Sequence, residues 1–590
     1  MTADDGEPGD TTPAGTKADE GTKPDEGTSR RDFLRRTGIG LAGVAGLAVA
    51  GGAGWGIAAS QHRAASVSPT FTPLPQRADA AFDHLVVLMF ENRSFDNMLG
   101  RLYTADEKTR DEFDGLLQGD YANVAPNGER IPAHVYTGPT DSIMQQPQPD
   151  PGETYPHVNT QLFGTVAPPV NAPPQGQQPD NGGFVHDYII NFRNSTRREP
   201  APDEYRKAMG GFSPDMMPVL STLAREFAVY DHWFAAVPSQ TYCNRSFFHA
   251  STSHGFVVNH ADGSYEKWLN APASPTVFDR LEEAGLSWRV YYDPTQLVSL
   301  TGFIHAPALE KYWKTNFRDM TQFYADAAAG NLPAYAFIEP RMIFNHNDMH
   351  PPWGELREGT LTLDDGTTIR VDDSAVSDVR AGDKLLQDVY DAVRTSATAS
   401  GSHALNTALV VTFDEHGGLF DHVAPPAATP PDDAGPGEMG FTFDRLGLRV
   451  PAIVVSAHAA PGTIVRDEMH HGSLVATLSR QHGLAPLTAR DDGAPTIHNA
   501  LTAPRPRQPD TWPTPTALWS PPNPEAVSED TVDAHRARPL TSPARGLLGL
   551  LLEREDPGTP VPATYGEAYD ALQKHGQGLF GTTDAAAAAS

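Results

Sequence analysis

Two uninterrupted apolar runs stand out from the mixed pattern of this chain: HLVVLMF at 84–90 and TALVVTF at 407–413. Neither alternates in polarity and each is short for a helix, so each predicts a strand buried on both faces of a parallel sheet. Further runs at 286–293 (LSWRVYYD), 334–339 (AYAFIE) and 450–456 (VPAIVVS) predict more strands, and helical periodicity appears at 217–234, 275–284, 376–395 and 470–482. Strands alternating with helices give an α/β fold with a mainly parallel central sheet flanked by helices. ENRSFDNML after the first run predicts a helix with Ser94 or Asn92 near its cap. Residues 101–183 carry little periodicity and much Pro, Gly, Gln and Asn, and read as long active-site loops.

Both long runs stop at polar residues: Glu91 and Asn92 after the first, Asp414 and Glu415 after the second. Ligands of open α/β sheets sit beyond the carboxyl ends of the strands. Two strand ends delivering oxygen ligands to that edge therefore point to a hard divalent cation and a reaction built around it. Taken singly, such acids more often cap helices or pair with arginine. The segment VPSQTYCNRSFFHASTSHG at 237–255 adds hydroxyls at Ser239 and Thr241 before a helical stretch, followed by Asn244 and Arg245. A hydroxyl at a helix start lies in the positive end of the dipole, which favours an attacking alkoxide and a covalent phosphate. The plainer role there is N-capping. Asn244 and Arg245 could donate to phosphate oxygens. Histidines gather in irregular segments: His346 and His350 around Asp348, His422 after Asp421, and His470 with His471 at a helix start.

The net charge of −30 over 590 residues excludes nucleic acid as a partner, because a phosphate backbone needs clustered Lys and Arg. The single cysteine, Cys243, rules out an intramolecular disulfide and reads as a small packed residue. Residues 1–28 have the composition of a disordered segment. Residues 29–60 resemble a twin-arginine signal peptide, with Arg30 and Arg31 ahead of Phe33 and Leu34 and a Gly/Ala-rich apolar stretch at 39–59. A permanent anchor is the alternative for that stretch. The expected organisation continues with a linker at 61–80, a catalytic domain at 81–502, and a Pro-rich tail at 503–590 with one short helix around 563–574. These features predict export through the twin-arginine machinery to a secreted or envelope-associated site.

ENRSFDNMLG, TYCNR, DMHPP, TFDEHGGLFDHVAPP and HHGS, in this order over about residues 82–485, resemble the bacterial phosphoesterase family that contains phospholipases C and an acid phosphatase. The resemblance implies an alkaline-phosphatase-like core and a metal held by Glu91, Asn92, Asp414 and Glu415, with Thr241 as nucleophile and ligand. It also places family histidines on His350 and His471. Two departures stand out. A DPGH-like motif of relatives reads Asp150-Pro151-Gly152-Glu153 here, which transfers the histidine's role, if it persists, to His157. The late motif reads HHGS, with His470 and Gly472 replacing an acid and a hydroxyl.

The expected function is an exported metal-dependent phosphoesterase acting through phospho-threonine, phospholipase C-like. Asn244, Arg245 and His157 are expected on the substrate, and Thr241, His350, His471 and His422 in catalysis. An acid phosphatase acting on monoesters is the alternative within this class. From another class, the alternative is an inactive, exported, metal-stabilised binding protein, which chelation would distinguish. Oxygen-rich ligands favour Ca²⁺, Mg²⁺ or Mn²⁺, and the nearby histidines admit Zn²⁺ or iron.

Overall fold

The computed structural model describes residues 81–582 apart from 104–106, 108–112, 139–142, 165–176, 261–264, 345, 353–358, 363–367, 372–376, 397, 399, 519–535 and 538. The expected disordered segment, signal peptide and linker lie outside the described residues. Among those described, no helix is long and apolar enough to cross a membrane.

Eight strands form the central sheet: β1 (His84–Phe90), β2 (Ala228–Tyr230), β3 (Trp288–Tyr292), β4 (Phe317–Asp319), β5 (Tyr335–Ile338), β6 (Thr407–Phe413), β7 (Ala452–Val455) and β8 (Thr463–Val465). Their order is β8-β2-β7-β6-β1-β5-β3-β4. Only β7 runs antiparallel to its neighbours. The two long apolar runs are thus adjacent central strands, with β6 buried throughout and β1 at all but its first residue. Covering both faces of a sheet removes the reason for alternation, which is why these runs are continuous.

Helices supply the cover. α1 (Phe95–Met98) follows β1 and is capped by Ser94, whose hydroxyl accepts from Asn97 N at 3.1 Å. α2 (Tyr155–Phe163) lies where only loops were expected, and α3 (Phe184–Thr196) follows in a stretch given no element. Phe163, Phe184, Tyr188 and Phe192 on them help build a second, smaller apolar core beside the main one. α4 (Pro218–Glu226) occupies less than its expected window. The chain leaves helical geometry at Phe227 and its next residues join the sheet as β2. α5 (Thr241–Ala250) is buried along its whole length. α6 (Val379–Thr395) packs on α4, and its Asp383 carboxylate accepts from the Val219 and Leu220 amides at 3.0 and 2.9 Å. α7 (Gly472–His482) packs on α5.

In the tail, α9 (Tyr565–Ala571) falls within the expected window. The longer α8 (Ser542–Glu555) was not expected. Its sequence, GLLGLLL, carries two glycines that argue against a helix. Packing demands them, since a Cβ at Gly546 would meet the Tyr242 hydroxyl at 2.3 Å and one at Gly549 the Tyr265 ring at 2.5 Å.

Candidate active site

Phe90 on β1 pairs in register with Phe413 on β6, so Glu91 sits beside Asp414 and Asn92 beside Glu415, one step past the sheet. The Asn92 amide donates to Asp414 Oδ1 at 2.9 Å, which ties the two strand ends together. Asn92 has φ of 55°, a left-handed conformation that asparagine tolerates better than most residues. Gly417 is required opposite it, because a Cβ there would lie 2.1 Å from the Asn92 carbonyl oxygen.

All four residues are buried, at 1% exposure or less. Their charge is poorly matched. Burial first and Asp414 next push the Glu91 carboxyl well above its usual range, against the pull of Arg245. Burial and Asp414 do the same to Glu415. Asp414 is also raised by burial, with Arg245 opposing. Meanwhile Glu91 Oε2, Asn92 Oδ1 and Glu415 Oε1 have no hydrogen-bond partner. Buried oxygens without donors are costly. Converging acidic oxygens of this kind fit a divalent cation, and Glu91, Asn92, Asp414 and Glu415 would hold it.

Thr241 is the first residue of α5 and lines a cleft with Glu91, Glu153, Gln240, Tyr265 and His350. Ser239 instead donates to the Val257 carbonyl. His350 is buried and neutral, its imidazole pushed down to about 4 chiefly by burial. Its Nδ1 lies 2.6 Å from the Pro351 carbonyl, which fixes the proton there and leaves Nε2 as the lone-pair nitrogen, 4.0 Å from Glu153 Oε2. Glu153 accepts from Asn92 Nδ2 and, at 3.1 Å, from Gln240 Nε2. Burial and then Glu415 raise its carboxyl to about 8.

One wall of this cleft comes from the tail, where Pro543 and Gly546 of α8 line it. A relay joins this wall to the site. Thr541, the cap of α8, donates to His346 Nε2 at 3.1 Å, and His346 Nδ1–H donates to Asp348 Oδ2 at 2.7 Å. The other Asp348 oxygen accepts from the His350 amide at 3.0 Å, and the Asp348 carbonyl accepts from the Glu91 amide at 2.8 Å.

Five expected residues are placed differently from their assigned roles. Arg245 turns away from the cleft, with Nη2 2.7 Å from Glu91 Oε1 and Nε 3.2 Å from Asp414 Oδ2. It partly neutralises the carboxylates that α5 faces. Asn244 is spent on backbone: Oδ1 accepts from the Val237 amide at 3.0 Å, and Nδ2 donates to the Ser239 carbonyl at 2.8 Å. It shapes the loop that delivers Thr241. His471 lies behind the site, taking the Trp233 indole N–H at Nδ1 (3.3 Å) and donating from Nε2 to the Asp414 carbonyl at 2.6 Å. With both nitrogens engaged, it buttresses the loop that carries Asp414. His157 is engaged by Asp187 Oδ1 at 2.7 Å from its Nδ1 and does not line the cleft. His422 belongs to a separate ionic network. Its Nδ1 is 2.7 Å from Asp96 and its Nε2 3.0 Å from Asp114, while Arg449 binds Asp96 and Asp421 at 3.1 and 2.8 Å. Burial would depress its imidazole, but Asp96 and the bond to Asp114 outweigh that and hold it at about 9.

The sequence reading assigned no role to Gln240 or Asp150. Gln240 could have been noticed as the residue just before the Thr241 helix. Asp150 and Glu153 carried a signal only as the departure from a DPGH-like motif.

Comparison with known proteins yields a consistent set. The model of the Phosphoesterase family matches residues 82–485. The chain is 32% identical to non-specific phospholipase C4 of Arabidopsis thaliana over 451 residues, covering 74% of each chain. It is 31% identical to non-specific phospholipase C1 of the same plant, over 72% of this chain and 71% of the relative. Phospholipase C B of Mycobacterium tuberculosis (strain ATCC 25618 / H37Rv) is 24% identical, over 68% of this chain and 73% of its own. A solved protein in the alkaline phosphatase superfamily from Vibrio parahaemolyticus is 14% identical, with a TM-score of 0.27 over 62% of this chain and 83% of its own. An overlay that loose carries no inference about the site.

Proposed function

The chain belongs to the phosphoesterase family and is a phosphoric ester hydrolase, and from that premise we propose that it is an exported, metal-dependent phospholipase C-like enzyme working through phospho-Thr241. The observation that carries this reading is the placement of Thr241 at the start of a buried helix, facing a cleft shared with Glu91, Glu153 and His350. A cation held by Glu91, Asn92, Asp414 and Glu415 would lower the pKa of the Thr241 hydroxyl and offset charge on the phosphoryl oxygens.

The Thr241 hydroxyl gives its proton to water in the cleft and its oxygen attacks phosphorus. The bond from phosphorus to the ester oxygen breaks, and the departing alcohol takes a proton from water. A second water then attacks phosphorus and restores the threonine hydroxyl. Arg245 keeps Glu91 and Asp414 in place, and Asn244 and His471 hold the two loops that carry Thr241 and Asp414. His350 presents its free Nε2 beside Glu153.

The substrate class is a phospholipid cut between glycerol and phosphate, in line with the relatives that are phospholipases C. Thr241→Ala should abolish release of phosphorylated head group from phosphatidylcholine micelles while the protein retains its metal. Full turnover in that variant sinks the nucleophile assignment. Faster turnover of an aryl phosphate than of the phospholipid favours the monoesterase alternative. Arg30 and Arg31 carry the export part of the proposal. Replacing both by Lys should leave the protein in the cytoplasmic fraction, and unchanged export removes that part.

A further inference from the structure

Beside the first ligand set lies a second group whose chemistry is unaccounted for. Asp150, Glu153 and His350 bring one ligand atom each within 4.8 Å of one another. Asp150 is 3% exposed, and its Oδ1 has no hydrogen-bond partner. The nearest cation, Arg93, is spent elsewhere: Nε donates to the Met349 carbonyl at 2.6 Å and Nη1 to the Gln146 carbonyl at 2.7 Å. His350 has its Nδ1 fixed on the Pro351 carbonyl and its Nε2 towards Glu153, the arrangement in which a histidine ligates a metal while its other nitrogen is held by a backbone acceptor. Glu153 also touches Asn92, so the two groups meet at one residue pair.

We propose that Asp150, Glu153 and His350 form a second divalent-cation site, adjoining the first and opening on the same cleft. The proposal rests on the phosphoesterase reading of the first site and extends it to a pair of ions. Two carboxylates and one imidazole suit a first-row cation such as Mn²⁺ or Zn²⁺ better than Ca²⁺, which prefers an all-oxygen shell. It also gives the departure at Glu153 a purpose, since a glutamate supplies a charged oxygen ligand where a histidine would supply neutral nitrogen.

The test is to strip the full-length protein with chelator, titrate it with Mn²⁺ alone, and count bound equivalents by elemental analysis after gel filtration. Wild type should bind two equivalents per chain, and the electron paramagnetic resonance spectrum of the doubly loaded protein should be broadened by coupling between neighbouring ions. Asp150→Asn should bind one equivalent and give the sharp six-line spectrum of an isolated ion. His350→Gln and Glu153→Gln should do the same, and they carry the test if circular dichroism shows Asp150→Asn to be misfolded. One equivalent in wild type, lost in Glu91→Gln but kept in Asp150→Asn, overturns the second site and leaves the first intact. No bound Mn²⁺ or Zn²⁺ in wild type overturns both.

Discussion

Two buried acidic clusters among the described residues have opposite electrostatic characters. In the network around Arg449, the Asp96 and Asp421 oxygens all meet donors. Asp96 takes Arg449 and both the amide and ring of His422, and Asp421 takes Arg449 and the Asp96 and Val423 amides. At the ends of β1 and β6, by contrast, Glu91, Asn92 and Glu415 each keep a buried oxygen with no donor among the described residues. The ligand atoms of Asp96, Asp421 and His422 lie within metal-ligand reach of one another, as do those of Asp150, Glu153 and His350 beside the strand ends. What separates the two clusters is whether the protein has supplied its own counter-charge. The Arg449 network is complete within the protein, whereas the strand-end cluster keeps buried oxygens that a cation would satisfy.

The largest effect should come from removing a carboxylate of the strand-end cluster. Glu415→Gln should lower phosphoesterase activity on the order of 10³-fold or more, yet make the metal-free protein more stable by about 1–3 kcal/mol, because one buried charge disappears. Urea unfolding in chelator, beside an activity assay, measures both. Loss of stability would mean that the cluster is already compensated. Next, Arg449→Met should cost about 3–5 kcal/mol by stranding Asp96 and Asp421, with the unfolding midpoint as readout. An unchanged midpoint would show the network to be dispensable.

The third effect is pH-dependent. His422 is held at about 9 when folded, above its ordinary value of about 6.5. Its contribution, on the order of 3 kcal/mol, is therefore fully present below pH 6.5 and is lost as pH rises through 9. His422→Gln should flatten the stability profile between those limits, and a slope that survives the substitution assigns it to another group. The smallest effect is ligand linkage. Cation at a hundredfold excess over its dissociation constant should stabilise wild type by about 2.7 kcal/mol. The same shift should persist in His422→Gln, and the share owed to the strand-end site should be lost in Glu91→Gln. Calorimetric melting distinguishes these outcomes.

The centre of the sheet was legible in the sequence because total burial writes itself as an unbroken apolar run, and the ligands follow where that run stops. Edge strands left no such trace. β4 and β8 are three residues each, and β2 was hidden behind the apolar periodicity of α4. α2 was masked by the loop-like composition around it, and α8 by glycines that its aromatic neighbours require. Of the residues singled out by type, Thr241, Glu91 and His350 line one cleft. Residue types could not say which partner would claim Arg245, Asn244, His471 or His422. Arg245, His471 and His422 were each claimed by a group distant in sequence that only the folded chain brings near, and Asn244 was spent on the loop just before it.

Because α8 walls the cleft, the enzyme's competence has a timetable. Glu91 leaves the ribosome early, whereas Pro543 and Gly546 emerge long after the sheet strands have been made. Until residue 555 has been synthesised, the nascent protein carries its acidic cluster with one side unbuilt and with the hydrogen bond from Thr541 to His346 unmade. A hydrolase completed only by a late-made segment stays incomplete for most of its own translation, whatever esters surround it.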